Sequence, residues 1–187
     1  MGSTELVPNI ETAAGLVNAP AIARASPRIT AMLLASEDMA ADLGAEREPD
    51  AAELAYVRER FLLECTAAGV VAIDCPYTFS DIEGAERDAR WARRRGYRSK
   101  SCVAHAHAAA INGVFTPSRG EVERAERIVQ AFEAARAAGH DRVELDGALV
   151  EVPRYAAAQR LIERAKQLTE FETSRSFNAC DCARGLA

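Results

Sequence analysis

The chain has 187 residues, of which 49% are hydrophobic and 27% charged, and its formal net charge is −5. This length and composition predict a single globular domain with a substantial core. The acidic balance excludes the basic surface of a nucleic-acid-binding or membrane-surface protein, and no apolar run is long enough to span a bilayer. An odd number of cysteines, five, without a signal-peptide pattern indicates the reducing cytoplasm.

Short apolar runs alternate with helical patterns along the first part of the chain. The runs that predict buried parallel strands are residues 6–10, 29–35, 70–75 and 101–104. The patterns that predict helices are residues 12–25, 50–68 and 81–95. The strands recur at intervals of about 25–40 residues, the size of a βα unit. We therefore predict an α/β fold in which helices join parallel strands, covered on both faces, into an open sheet or a barrel.

A different pattern follows the fourth predicted strand. Residues 118–138 predict an amphipathic helix, because apolar residues repeat there at intervals of three and four positions. Residues 143–150 predict a small hairpin around an Asp-Gly turn, and residues 153–168 predict a last helix. This part of the chain therefore differs from the preceding βα units.

These patterns divide the chain into three predicted parts. They are an α/β part (residues 1–118), a helix–hairpin–helix extension (residues 119–172) and a disordered tail (residues 173–187). The tail contains Cys180 and Cys182, but the chain has no second cysteine pair of the kind that completes a zinc site. We therefore assign no metal to the tail.

Carboxylates follow three of the predicted strands. Glu11 follows the first strand, Asp38 the second and Asp74 lies at the end of the third. Active sites of parallel α/β folds lie at the carboxyl ends of strands, and like charges that meet there repel unless a cation or proton separates them. Two carboxylates with open positions for water suit Mg²⁺ or Mn²⁺. Alternatively, Glu11 and Asp38 are helix N-caps and Asp74 is a structural acid.

Several motifs occur in an order that resembles a known family. They are Pro8-Asn9-Ile10-Glu11-Thr12 with Gly15-Leu16, then residues 31–44, then residues 72–77, then residues 96–100, 111–112 and 115–118. These motifs resemble those around strands five to eight of the HpcH/HpaI aldolases, in their citrate lyase beta-subunit-like branch. The resemblance covers about residues 6 to 165.

The resemblance implies a (β/α)8 TIM barrel, of which this chain carries only strands five to eight and a C-terminal helical extension. The complete family barrel has about a hundred residues before its fifth strand. We therefore expect a fragment, a homo-oligomer in which two halves pair, or a second chain that supplies the other half. The resemblance also places the helical extension at a subunit interface.

The resemblance further implies an activity and a cofactor. Glu11 and Asp38 are expected to bind Mg²⁺, with Mn²⁺ as an alternative, and Asp74 and Pro76 to contact the substrate. The expected reaction is carbon–carbon cleavage of a 3-hydroxyacyl-CoA thioester, such as malyl-, citramalyl- or citryl-CoA, to an acyl-CoA and a keto acid. A direct aldolase acting on small free hydroxy-keto acids is the alternative within the same family.

The sequence departs from the family pattern at three places. No arginine here matches the one that clamps the substrate in the family. His105 and His107 stand where the family has a His-Pro pair, and we expect structural or surface roles for them. Glu151 replaces the aspartate of a Met-Ile-Asp-x-Pro motif that acts as an acid or base in a neighbouring subunit. Glu151 is thus a candidate acid or base in trans, and a catalytically inactive paralogue or partner subunit is the second reading of the chain.

Overall fold

The computed structural model describes residues 4–184, with side chains described up to residue 174, so Cys180 and Cys182 lie outside the described side chains. The chain divides into two compact units, residues 1–115 and residues 116–187. The predicted boundary after residue 118 therefore falls three residues later than the division between the units. No helix in the described part is both long enough and apolar enough to cross a membrane.

The first unit contains a parallel sheet of four strands. They are β1 (Asn9–Ile10), β2 (Ala31–Leu34), β3 (Val71–Asp74) and β4 (Ser99–Lys100), paired in that order. The prediction of the fourth strand at residues 101–104 is wrong. Residues 99 and 100 pair with the last two residues of β3, and β3 ends at Asp74, so later residues have no neighbouring strand to pair with. The predicted α/β class with a parallel sheet is confirmed.

Helices follow each strand of the first unit. They are α1 (Ala13–Val17), α2 (Ala19–Arg24), α3 (Ser36–Leu43), α4 (Ala55–Ala68), α5 (Ile82–Arg95) and α6 (Ala108–Phe115). The single helix predicted over residues 12–25 is two helices that meet at Asn18. Pro20 explains the break, because its ring lacks an N–H and clashes with the carbonyl one turn earlier. The predicted helix ends at Gly69 and Gly96 are confirmed. Both glycines have a left-handed backbone conformation, which other residues rarely adopt.

The core of the first unit lies on one face of the sheet. Met32 and Leu34 of β2 and Ala72 of β3 are buried there in one hydrophobic cluster with Phe61 of α4. A buried side chain of this size contributes about 1.5–3 kcal/mol. On the opposite face the side chains are partly exposed, and Val71 retains 52% of its surface. The prediction that both faces are covered is therefore wrong for the described residues.

The second unit is a helix–hairpin–helix. It contains α7 (Arg119–Ala137), β5 (Val143–Leu145), β6 (Ala148–Val150) and α8 (Val152–Arg184). Ser118 and Glu121 form a reciprocal capping box at the start of α7. Asp146 and Gly147 both have positive φ, as a two-residue hairpin turn requires. Phe132 and Val150 are buried in the cluster between these elements.

Helix α8 is longer than the sequence pattern predicts. It continues through Arg184, past the expected end at residue 168 and into the segment 173–187 that was expected to be disordered. After Pro153 the sequence contains no proline or glycine before Gly185. Nothing in the local sequence therefore terminates the helix, although its apolar periodicity fades.

Candidate metal centre

Glu11 lies at the carboxyl end of β1. Ile10 pairs with Leu34 in the sheet, so Glu11 stands one position further on, beyond the last paired residues of β1 and β2. The side chain is exposed, and the amide Nδ2 of Asn9 donates to Glu11 Oε1 at 2.6 Å. The helix N-cap reading of Glu11 is wrong, because the hydroxyl of Thr12 is the group that caps α1.

Asp38 lies in the first turn of α3, which begins directly after β2. The residue at the N-cap position is Ala35, so the N-cap reading of Asp38 is also wrong. Its carboxylate is exposed, and no described residue donates a hydrogen bond to it or pairs with it. A negative charge in the first turn is favoured by the helix dipole. The hydroxyl of Ser36 donates to the carbonyl of Pro76 at 3.2 Å and ties this turn to the segment after β3.

The positions of Glu11 and Asp38 suit a hard divalent cation. Both carboxylates are exposed and follow neighbouring parallel strands at the same edge of the sheet. Among the described residues, no group of three histidine, cysteine, aspartate or glutamate side chains could hold a metal. Two carboxylate ligands leave most positions of an octahedral ion for water or substrate oxygens, which is the common arrangement for Mg²⁺.

Glu37, beside Asp38, belongs to a polar cluster at the same edge. Arg47 donates to Glu37 through Nε at 3.0 Å, to Glu53 through Nη1 and to the hydroxyl of Thr78 through Nη2 at 3.5 Å. The Thr78 hydrogen bond and the Arg47 charge hold the pKa of Glu37 below its ordinary value. Each of the three guanidinium nitrogens of Arg47 is therefore engaged within the chain.

Asp74 lies in a buried cluster of four charged side chains. Its carboxylate accepts from Arg58 Nε at 2.9 Å and Nη2 at 2.6 Å, and from Lys100 Nζ at 2.8 Å. Asp88 accepts from Arg58 at 2.7 Å and pairs with Lys100 at 2.5 Å. Two cations and two anions thus neutralise one another beneath the sheet, where none is more than 9% exposed.

The protonation states within this cluster follow from the competition between burial and charge. Burial alone raises the pKa of Asp88, but the charges of Lys100 and Arg58 outweigh it, so the pKa lies below its ordinary value. Burial lowers the pKa of Lys100, but the negative charges around it, led by that of Asp74, together outweigh burial and the pKa is raised. The Arg58 guanidinium also lies 4.0 Å from the centre of the Trp91 ring, a cation–π contact. Asp88 and Lys100 are therefore charged at neutral pH.

The site residues predicted from the sequence do not include Arg58, Asp88 or Lys100. A signal for Arg58 was present, because this residue interrupts an otherwise apolar face of α4 between Leu54 and Phe61. A charged residue in such a position is buried only with a partner.

Of the two residues predicted to contact the substrate, Asp74 has no exposed side-chain surface. Its environment matches the structural-acid reading. Pro76 is partly exposed.

The two histidines after β4 lie in different surroundings. His107 is buried, and its Nε2 lies 3.2 Å from the carbonyl oxygen of Ser80. Its ring stands 5.8 Å from that of Tyr77, whose hydroxyl donates to Asp81 at 2.5 Å. Burial and this hydrogen bond raise the pKa of Tyr77 to about 12. His105 is exposed.

Glu151 belongs to the second unit, between β6 and α8. Its side chain is exposed, and its backbone carbonyl accepts from the amides of Arg154 and Tyr155 in the first turn of α8. The role of Glu151 as an acid or base in a neighbouring subunit stays a prediction.

Comparisons with known proteins give the chain a family. The HpcH/HpaI aldolase/citrate lyase model matches residues 1–106. The citrate lyase subunit beta of Leuconostoc mesenteroides subsp. cremoris is 33% identical over 88% of this chain and 55% of its own length. The (3S)-malyl-CoA thioesterase of Cereibacter sphaeroides is also 33% identical, over 88% of this chain and 58% of its own length.

A solved protein structure is also similar to this chain. CitE from Mycobacterium tuberculosis, in complex with magnesium, acetoacetate and coenzyme A, is 28% identical. It superposes with a TM-score of 0.72 over 87% of this chain and 61% of its own. The chain thus spans 55–58% of the two curated relatives named above. Because the family model matches more than half of the residues of this chain, the chain belongs to the HpcH/HpaI aldolase/citrate lyase family.

Proposed function

We propose that this chain is part of a Mg²⁺-dependent carbon–carbon lyase acting on a 3-hydroxyacyl-CoA thioester of the malyl-, citramalyl- or citryl-CoA class. The observation that carries the proposal is the pair of exposed carboxylates, Glu11 and Asp38, after neighbouring strands at one edge of the sheet. The relatives named citrate lyase subunit beta and (3S)-malyl-CoA thioesterase support the thioester class. The magnesium and coenzyme A bound by the M. tuberculosis protein support the cofactor and the substrate type.

In this proposal Glu11 and Asp38 hold the cation, Mg²⁺ or Mn²⁺, through their carboxylate oxygens. When bound, the cation supplies Lewis-acid stabilisation of negative charge on substrate oxygens. The chain's own residues set the geometry. Asn9 holds one oxygen of Glu11, and α3 fixes Asp38 in its first turn. Glu151, in trans, takes the substrate's hydroxyl proton as the carbon–carbon bond breaks and returns it to the thioester enolate, so that a small keto acid and an acyl-CoA leave the site.

We also propose that the first unit is the second half of a (β/α)8 barrel and that the second unit is its C-terminal extension. The sheet face of Leu33, Val71 and Ile73 supports this, because these side chains are apolar and yet keep part of their surface exposed. A complete barrel of this kind also needs four further strands and the clamp arginine, which the described residues do not supply.

Metal binding tests the site directly. Manganese titration of the purified chain, followed by electron paramagnetic resonance, is expected to show one Mn²⁺ site from which Mg²⁺ displaces the ion. Glu11→Gln and Asp38→Asn are each expected to weaken Mn²⁺ binding at least tenfold, because each removes one charged ligand. Glu46→Gln is the matched control, since Glu46 is also exposed and lies three residues after the end of α3. Unchanged Mn²⁺ affinity in both site variants would refute the assignment.

Activity and assembly are then measured on the same sample. Metal-dependent cleavage of malyl-CoA or citramalyl-CoA by a discrete oligomer would support the proposed lyase. Mn²⁺ binding by an oligomer that cleaves neither thioester would favour a non-catalytic partner of a complete barrel. Cleavage of free 4-hydroxy-2-keto acids, but not of thioesters, would identify a direct aldolase.

A further inference from the structure

Hydrogen bonds are made by the residues on both sides of Glu11 along the chain. Before it, the Asn9 amide donates to Glu11 Oε1 at 2.6 Å. After it, the backbone N–H of Ala13 donates to Asp42 Oδ2 at 2.8 Å. The second hydrogen bond joins residues 29 positions apart. It therefore ties the start of α1 to helix α3.

Asp42 lies in the same helix as Asp38, four residues further on. Residues four positions apart in a helix lie on the same face. Helix α3 thus carries Asp38 and also the group that fixes the backbone two residues after Glu11. The pairing of β1 with β2 sets the two proposed ligands side by side, since the Ala35 N–H donates to the Ile10 carbonyl at 3.0 Å. The Asp42 contact adds a second tie, between α3 and the start of α1.

Helix α1 needs this contact because it is short. It has five residues, and isolated helices of this length are unstable. Its first N–H groups have no partners within the helix. The Thr12 hydroxyl accepts from Gly15, and Asp42 accepts from Ala13, so a distant carboxylate supplies part of the cap. Among the described residues, Asp42 provides the one side-chain hydrogen bond between α3 and the segment that follows Glu11, and its removal breaks that bond.

We infer that Asn9 and Asp42 are positioning residues for Glu11, and this inference rests on the proposed metal function. Asn9 orients the carboxylate itself and leaves Glu11 Oε2 for a cation. Asp42 sets the backbone that carries Glu11 relative to α3. Neither residue needs to touch the metal, because each acts through Glu11.

Substitutions at Asp42 separate positioning from charge. Asp42→Ala removes the acceptor, and it is expected to weaken Mn²⁺ binding about 10–100-fold, the usual effect of losing a group that orients a ligand. Asp42→Asn keeps an oxygen acceptor for the Ala13 N–H and removes only the charge, so affinity is expected to return close to that of the wild type. Asn9→Ala is expected to weaken Mn²⁺ binding in the same direction as Asp42→Ala. Glu46→Gln serves as the control for a lost negative charge near α3.

Two results would overturn the inference. Wild-type affinity in Asp42→Ala would show that the contact does not position Glu11. Equal weakening in Asp42→Asn and Asp42→Ala would show that Asp42 acts through its charge or as a ligand. Both measurements are made on folded protein, verified by circular dichroism at the temperature of the titration.

Hydrogen exchange provides a readout that does not need the metal. The amides of residues 13–17 are expected to exchange faster in Asp42→Ala than in the wild type, and at the wild-type rate in Asp42→Asn and Glu46→Gln. Unchanged exchange in Asp42→Ala overturns the positioning role. If no protein binds Mn²⁺, the proposed function fails, and the exchange result still decides whether Asp42 fixes the segment after Glu11.

Discussion

Two regions of the first unit contain carboxylates that follow or end neighbouring strands, yet their surroundings differ completely. Asp74, at the end of β3, is fully buried between Arg58 and Lys100. Glu11 and Asp38, after β1 and β2, are exposed, and no described basic side chain pairs with either. The same sequence signal thus produces a permanently neutralised acid in one place and two unneutralised acids in the other.

The difference has a chemical consequence. Fixed cations already compensate Asp74 and Asp88, so a further metal ion there would meet no net negative charge. At Glu11 and Asp38 the compensating cation has to come from solution. We therefore interpret the buried cluster as the part that fixes α4, α5, β3 and β4 together, and the exposed pair as the part that binds. Comparing variants of the two regions tests this division.

The largest expected effect on stability belongs to Arg58. Arg58→Ala leaves Asp74 and Asp88 buried with Lys100 alone, and removing one partner of a buried ion pair costs about 3–5 kcal/mol. Urea denaturation measures the loss. Arg94→Ala is the control, since Arg94 is exposed on α5 without a described partner, and a change within about 0.5 kcal/mol is expected. Equal effects in the two variants would contradict the structural role of the cluster.

The next effect is a pH dependence that comes from Asp88. Its pKa is lower in the folded chain than the ordinary value of 3.8, because Lys100 and Arg58 outweigh the effect of burial. Stability from this group is therefore present above pH 3.8 and is lost as the pH falls through the lower, folded pKa. We expect Asp88→Asn to be less stable than the wild type at neutral pH, with a difference that shrinks in this acid range. A difference that stays constant with pH would contradict the assignment.

The smallest effect on stability is expected at the proposed metal site. Glu11→Gln and Asp38→Asn replace exposed side chains, so without metal the free energy of unfolding should change by no more than about 0.5 kcal/mol. With saturating Mn²⁺ the wild type should gain stability, because a ligand that binds only the folded state stabilises it, and the variants should gain less. Thermal denaturation with and without Mn²⁺ measures both. A large loss without metal would mean that these acids support the fold.

The local sequence was informative where a single element carries the signal. The ends of α4 and α5 at Gly69 and Gly96 and the turn at Asp146-Gly147 were predictable, because each depends on residues that tolerate a left-handed backbone. The carboxylates after β1 and β2 were predictable in kind and place, since parallel strands direct their carboxyl ends to one edge of the sheet. Their role as metal ligands stays a prediction that the variants above test.

Other features depended on partners distant in sequence. The fourth strand lies at residues 99–100 because β3 ends at Asp74 and offers no pairing further on. Arg58 is buried because Asp74 and Asp88, 16 and 30 positions away, neutralise it. A window of a few helical turns around Arg58 contains neither acid, so the local sequence does not show its partners.

The sequence by itself determined the family, the alternation of strands and helices and the order of the candidate acids, because motifs, periodicity and caps are local properties of the chain. Only the tertiary structure decided which acid is buried and which is exposed. That outcome depends on whether α4 and β4 bring cations to the carboxylate, as they do for Asp74. The contact between Asp42 of α3 and the backbone N–H of Ala13, two residues after Glu11, is likewise visible only in the tertiary structure. Burial and hydrogen bonding depend on which elements pack together, and that is settled only when the whole unit folds.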